Sequence, residues 1–216
     1  NMPGKPIWAL SATELIKKTH NNELSATEVT SAYLEHIKKI NPDLNAIVDD
    51  MSDEAIKRAE SLDQATKAGE PKGRLFGVPV TIKINVDQKG YATSNGVPAL
   101  KNLIANSNAP IVDHLMNAGA IFVGRTNTPE FSFRADTENP LHGRTNNPWG
   151  KHLSPGGSSG GASSAVMAGM CALAHGNDIG GSLRFPSVAT GAVTLKPGLG
   201  RVPAWNSSQT SERGIL

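Results

Sequence analysis

Residues 156–174 read Gly156-Gly157-Ser158-Ser159-Gly160-Gly161-Ala162-Ser163-Ser164-Ala165-Val166-Met167-Ala168-Gly169-Met170-Cys171-Ala172-Leu173-Ala174, a stretch without a single charge. A helix that is small or apolar on every side offers water no face. The run from Ser158 to Ala174 therefore predicts a buried helix, and its small residues let neighbouring backbones come close.

The flanking sequence shows what such a helix packs against. Phe76-Gly77-Val78-Pro79-Val80-Thr81-Ile82-Lys83-Ile84 is short and rich in β-branched residues, which predicts a buried strand. Residues 109–118 are apolar at helical spacing, and Gly119 is a good helix stop. Ala120-Ile121-Phe122-Val123-Gly124 predicts a second buried strand. A helix followed by a short apolar strand is the pattern of an α/β sheet. Residues 127–157 are rich in Asn, Pro and Gly and read mostly as loop.

Upstream of Pro71 the texture is helical. Ser11-Ala12-Thr13-Glu14 and Ser25-Ala26-Thr27-Glu28 are both capping boxes. The second opens a run with Val29, Ala32, Tyr33, Ile37 and Ile40 on one face, which Asn41-Pro42 is expected to end. A more polar helix is expected over 52–68. The organisation predicted is an N-terminal helical segment over 2–70 and a core over 71–216, in one domain overall.

Composition narrows the function. The chain has 216 residues and a net charge of +2, with no run of Lys and Arg to track a phosphate backbone, so direct nucleic-acid binding is not expected. The one cysteine, Cys171, excludes an internal disulfide framework and a zinc site built from several thiolates. No unbroken apolar run of about 18 residues predicts a membrane span. The N-terminus lacks a basic-then-apolar export signal, and a cytoplasmic location is expected.

The glycine–serine cluster allows three readings. A phosphate cradle needs a Gly-Lys-Ser/Thr ending or a dinucleotide-loop spacing, and neither is present. Gly156-Gly157-Ser158-Ser159-Gly160 matches G-x-S-x-G, but Trp149-Gly150-Lys151-His152-Leu153-Ser154-Pro155 is no strand to feed an elbow, and His175 is the only histidine downstream. The third reading is a serine nucleophile activated by Lys83, with Ser158 and Ser182 as the hydroxyls. An ammonium between Ile82 and Ile84 in an interior strand is costly, and a neutral amine can take a proton. A lysine on an edge strand reaching solvent fits the same pattern. Asp178-Ile179-Gly180-Gly181-Ser182 likewise suits either an oxyanion-binding loop or a tight turn.

Taken in order, these pieces resemble the amidase signature family. The resemblance is carried by Gly-Gly-Ser-Ser-Gly-Gly and the small-residue helix, and by Asp178-Ile179-Gly180-Gly181-Ser182-Leu183-Arg184-Phe185-Pro186. Supporting matches are Gly77-Val78-Pro79 leading to Lys83, residues 124–131, Asn146-Asn147-Pro148-Trp149 and Leu195-Lys196-Pro197. The resemblance implies a mixed β-sheet flanked by helices and a Ser–cis-Ser–Lys triad. Ser182 is then the nucleophile, Ser158 the bridging serine behind a cis peptide, and Lys83 the base. Backbone N–H groups of Ile179, Gly180, Gly181 and Ser182 would form the oxyanion hole, and Ser159, Asp178 and Arg184 would support the loops. Glu130 and Thr137 would serve structure nearby.

The implied activity is hydrolysis of a small linear carboxamide, with no metal or organic cofactor. Two alternatives stay open: the glutaminase subunit of a tRNA-dependent amidotransferase, and an inactive remnant acting only by association. Two departures stand out. Ile84 follows Lys83 where the family usually has Asp. The chain is also about half the family's usual length, so a truncated core with an open sheet edge is expected, completed by a missing second half or by a homo-oligomer.

Overall fold

The computed structural model describes residues 4–208. Both capping boxes form, with each serine hydroxyl accepting from the glutamate N–H and each glutamate carboxylate accepting from the serine N–H. They open α1 (Ala12–His20) and α2 (Ala26–Leu44).

α2 passes the expected stop at Asn41-Pro42 and ends at Leu44, with Asn45 left-handed at φ 49°. Pro42 falls in the last turn, and the Asn41 side chain secures the exit. Its Oδ1 accepts from the N–H groups of Ala46 and Ile47 at 3.0 Å each, and its Nδ2 donates to the Ile47 carbonyl at 2.9 Å. That tether starts β1 (Ile47–Asp50), so the N-terminal segment is not purely helical and contributes a strand to the main sheet. α3 (Ser52–Lys67) follows.

Next come β2 (Pro79–Lys83), α4 (Pro110–Asn117) and β3 (Ile121–Thr126). A two-stranded ribbon, β4 (Glu138–Asn139) and β5 (Gly143–Arg144), lies within the long loop region before α5 (Gly160–Met167). β6 (Leu173–Ala174) and α6 (Arg184–Thr190) complete the described elements. The four-stranded sheet has the order β1-β3-β2-β6; β3 is antiparallel to β1 and parallel to β2, and β2 is parallel to β6. Ala26, Ala55, Ala59 and Ala165, from α2, α3 and α5, pack with Ile121 and Val123 in one core. Val112 of α4 packs with Val80, Ile82 and Phe122 in another. The result is a mixed sheet with helices on both faces.

The predicted buried helix is shorter than expected. It stops at Met167 because Gly169 is left-handed at φ 74°. Met170 N–H then donates to the Ala165 carbonyl at 2.9 Å and Gly169 N–H to the Val166 carbonyl at 3.2 Å, which is the Schellman arrangement. α4 ends the same way at Gly119. The chain released at Gly169 returns to the sheet as β6, where residues 173 and 174 lie beside Val80 and Thr81.

The small residues of α5 are required by close approach. A Cβ on Gly161 would lie 2.4 Å from the Asn127 amide nitrogen and 2.6 Å from its carbonyl oxygen, both backbone atoms that cannot swing aside. Gly161→Ala is expected to cost at least about 1–3 kcal/mol of stability, read as a lower urea midpoint. An unchanged midpoint would show that the backbones can separate freely.

One irregularity decides what shares a face with Lys83. Val80 pairs with Phe122, but Thr81 pairs with Gly124, so β3 carries an extra residue at the bulge. Beyond it Ile82 is level with Arg125 and Lys83 with Thr126. Arg125 therefore shares the face of Ile82, opposite Lys83.

Candidate active site

β2 is an interior strand, and Lys83 at its C-terminal end is fully buried, so a solvent-reaching edge lysine is ruled out. Its Nζ lies 2.7 Å from Ser158 Oγ, 3.1 Å from Ser159 Oγ and 2.8 Å from Asn177 Oδ1. Both serines are 1% exposed. The Gly157–Ser158 peptide is cis. A Cβ on Gly157 would sit 2.3 Å from the Arg134 carbonyl oxygen, so the turn that presents Ser158 is wedged under residues 134–136. Thr137 helps fix it by donating to the Gly156 carbonyl at 2.8 Å.

Ser182 is half-buried on the loop that enters α6. Its carbonyl accepts from Ser159 N–H at 3.2 Å, which ties the two serine-bearing loops together. Among the described residues its hydroxyl makes no hydrogen bond to Ser158. The structure thus joins Lys83 to Ser158 and Ser159 directly and brings Ser182 in through the backbone.

Asp178 organises the loop. Its buried carboxylate accepts from the N–H groups of Gly181, Leu183 and Arg184 and takes two bonds from the Arg184 guanidinium. Arg184, with the loop N–H groups, holds this carboxyl well below the usual carboxylate range. One expected oxyanion donor is consequently committed elsewhere, since Gly181 N–H points at Asp178 Oδ1 at 2.8 Å. Among the described residues, the N–H groups of Ile179, Gly180 and Ser182 have no protein acceptor, and Ile179 and Gly180 are exposed. Gly180 has open space where a Cβ would be.

Sequence reasoning singled out neither Asn177 nor His175 for this cluster. Asn177 immediately precedes the Asp178–Pro186 stretch, whose glycines and serine carry the sequence signal. His175 backbone N–H donates to the Thr81 carbonyl at 2.9 Å, while its Nδ1 is buried with no hydrogen-bond partner among the described residues. Burial, then the nearby Lys83, push the imidazole down to about 4. The folded state therefore refuses a proton that the unfolded chain accepts near pH 6.5, so stability is complete above that pH and falls as the pH drops toward 4. His175→Gln is expected to flatten the urea-midpoint profile between pH 6.5 and 4; an unchanged slope would show that His175 protonates freely when folded.

A groove of about 870 Å³ lies behind the site, bordered by Val166, Leu173, His175, Val193, Leu195 and Trp205. It reaches Ser159, Asn177 and Asp178, but Lys83, Ser158 and Ser182 do not line it. Val193 and Leu195 stand 102% and 82% exposed beside it, and Leu173 of β6 is also exposed. Among the described residues, no group of three or more His, Cys, Asp or Glu side chains is placed to hold a metal ion. No helix among them is long and apolar enough to cross a membrane.

The amidase family model matches residues 28–212. The chain belongs to the amidase family. An indoleacetamide hydrolase of Bradyrhizobium diazoefficiens is 52% identical over 99% of this chain and 41% of its own length. One chain of the glutamyl-tRNA(Gln) amidotransferase of Caldanaerobacter subterraneus is 41% identical over 91% of this chain and 40% of its own. Among solved amidases, the peptide amidase of Stenotrophomonas maltophilia superposes with a TM-score of 0.84 at 32% identity, covering 92% of this chain and 42% of that one. The chain spans about 41% of the length of the first curated relative it matches.

Proposed function

We propose that this amidase chain carries the catalytic centre for hydrolysis of a small linear carboxamide to a carboxylic acid and ammonia or an amine, through an acyl-enzyme on Ser182. The observation that carries the reading is the fully buried Lys83 with its Nζ 2.7 Å from Ser158 Oγ, beside a loop whose amides are open to a ligand. Full burial penalises the charged ammonium, and a neutral amine is the form that accepts a proton.

In this mechanism Ser182 Oγ attacks the amide carbon and passes its proton to Ser158 as Ser158 passes its own to Lys83. Turning the Ser182 hydroxyl toward Ser158 closes the relay. The carbonyl oxygen gains negative charge and is held by the N–H groups of Ile179, Gly180 and Ser182. Losing one such donor costs roughly a hundredfold or more in rate. The proton returns through Ser158 to the leaving nitrogen, the C–N bond breaks, and water then cleaves the ester. Asp178 and Arg184 keep the loop amides aimed.

The 52% identity to an indoleacetamide hydrolase supports a linear amide as substrate. The 41% identity to an amidotransferase chain favours a second reading, release of ammonia from glutamine for a partner. The substrate from which ammonia is released separates the two. Turnover of aryl-acetamides, absent in Ser182→Ala, is the expected result; turnover of free glutamine alone would move the assignment to the amidotransferase route. An inactive remnant would turn over neither. The exposed Leu173 edge and the Val193–Leu195 groove support further polypeptide on that face, from a second half or a second copy. The single, buried Cys171 is compatible with a cytoplasmic place of action.

A further inference from the structure

Lys83 Nζ is within hydrogen-bond distance of Ser158 Oγ, Ser159 Oγ and Asn177 Oδ1, and the proposed relay uses only the first of these. A neutral amine has two N–H donors and one lone pair. If the lone pair takes the Ser158 proton, Ser159 Oγ and Asn177 Oδ1 stand ready to accept the two N–H groups, at 3.1 and 2.8 Å. Both acceptors are fixed. Ser159 Oγ donates to the Asn177 carbonyl at 3.3 Å, which leaves its lone pairs for incoming N–H groups.

Asn177 is fixed more firmly. Its Nδ2 donates to Asn85 Oδ1 at 3.1 Å, and Asn85 Nδ2 donates back to Asn177 Oδ1 at 3.2 Å. Asn85 Nδ2 also donates to Ser132 Oγ at 3.1 Å, and Ser132 in turn donates to Asn95 Oδ1 at 2.8 Å. Asn85 and Asn177 are 3% and 8% exposed. An amide paired in this way cannot flip without breaking both bonds, so its oxygen stays on Lys83.

We propose that Asn177, locked by Asn85, is a positioning residue: by accepting one N–H of Lys83 without adding charge, it directs the amine's lone pair at Ser158. The inference rests on the proposed role of Lys83. An amide suits the task because it orients the amine as a carboxylate would, yet does not hold it as an ammonium. Asn177→Asp keeps the shape and adds the charge.

Among the described residues, the segments next to Lys83 in the fold carry other charged or titratable groups. His175 follows β6, and Asp178, paired with Arg184, adjoins Asn177. Asp87, on the turn after β2, is held by Thr93, Ser207 and Ser208. The Arg125–Asp49 pair lies across the sheet. All are common to wild type and variant, so their effects cancel in the comparison.

The test is a carbon-13 NMR titration of the Lys83 Cε signal in the lysine-labelled chain, assigned by its loss in Lys83→Arg. Asn177→Asp is expected to raise the titration midpoint by about 1–3 pH units, the range for a carboxylate beside a cation. At pH 7 fluorophosphonate labelling of Ser182 then slows, by at most about 10- to 1000-fold, and recovers as the pH rises. Asn85→Asp, which sets the charge one residue farther away, shifts the midpoint in the same direction by less, and serves if Asn177→Asp does not fold. An unmoved midpoint, or a labelling loss equal at every pH, overturns the inference. A moved midpoint in a chain whose wild-type Ser182 takes no label leaves the positioning intact and removes the proposed hydrolysis instead.

Discussion

Lys83→Ala is expected to slow fluorophosphonate labelling of Ser182 by about 10²–10⁴-fold, the usual contribution of a positioned general base. The substitution removes the only nitrogen within reach of Ser158 Oγ in the described hydrogen-bond network, at 2.7 Å. The relay then has hydroxyls but no proton acceptor. The loop N–H groups of Ile179, Gly180 and Ser182 remain, so the residual rate reports what the oxyanion site does unaided. The thermal melt must be read alongside, because Lys83 fills buried volume between β2 and α5. A fully folded variant that labels at the wild-type rate would remove lysine from the chemistry.

The largest expected loss of stability comes from Arg125→Ala. Arg125 is fully buried, and its guanidinium donates to Asp49 Oδ2 at 2.9 Å and to the carbonyls of Ala92 and Val86 at 2.8 Å each. It also lies over the Tyr91 ring, 5.5 Å from its centroid. Truncation strands two carbonyls and a partly buried carboxylate and leaves a cavity. A cost of about 3–5 kcal/mol is expected from equilibrium urea unfolding. Arg125→Met, which fills the space without the charge, is expected to recover part of it. Loss below about 1 kcal/mol in the alanine variant would show that the strand β3 and the loop after β2 do not depend on this clamp.

What the sequence made legible follows from how local each signal is. The capping boxes at Ser11 and Ser25 are complete within four residues, and both helices start where they point. The strands around Val80 and Phe122 are mostly apolar and β-branched and lie inside the sheet. Gly119 and Gly169 stop their helices by the same backbone geometry, yet only the first is read easily, because the second sits in a run that stays apolar on both sides. β1 was hidden because Asp49 and Asp50 break its apolar pattern and its pairing partner lies in β3, far along the chain. Pro42 misleads for a related reason: what carries α2 past it is the Asn41 side chain, whose bonds depend on where β1 goes.

The site divides in the same way. Lys83, Ser158 and Ser182 are recognisable from motif and order. The commitment of Gly181 N–H to Asp178 is a matter of loop geometry, and no residue pattern announces it. Asn85 and Asn177 are separated by a long stretch of chain and meet only because β2 and the loop after β6 end side by side.

The residue at which a serine-directed probe reacts is the most direct test of Ser182 as the nucleophile. After exposure to a fluorophosphonate, the chain should carry one adduct, located by peptide mass spectrometry at Ser182. A well-folded chain with the adduct on Ser158 or Ser159 instead, or with none at all, contradicts it.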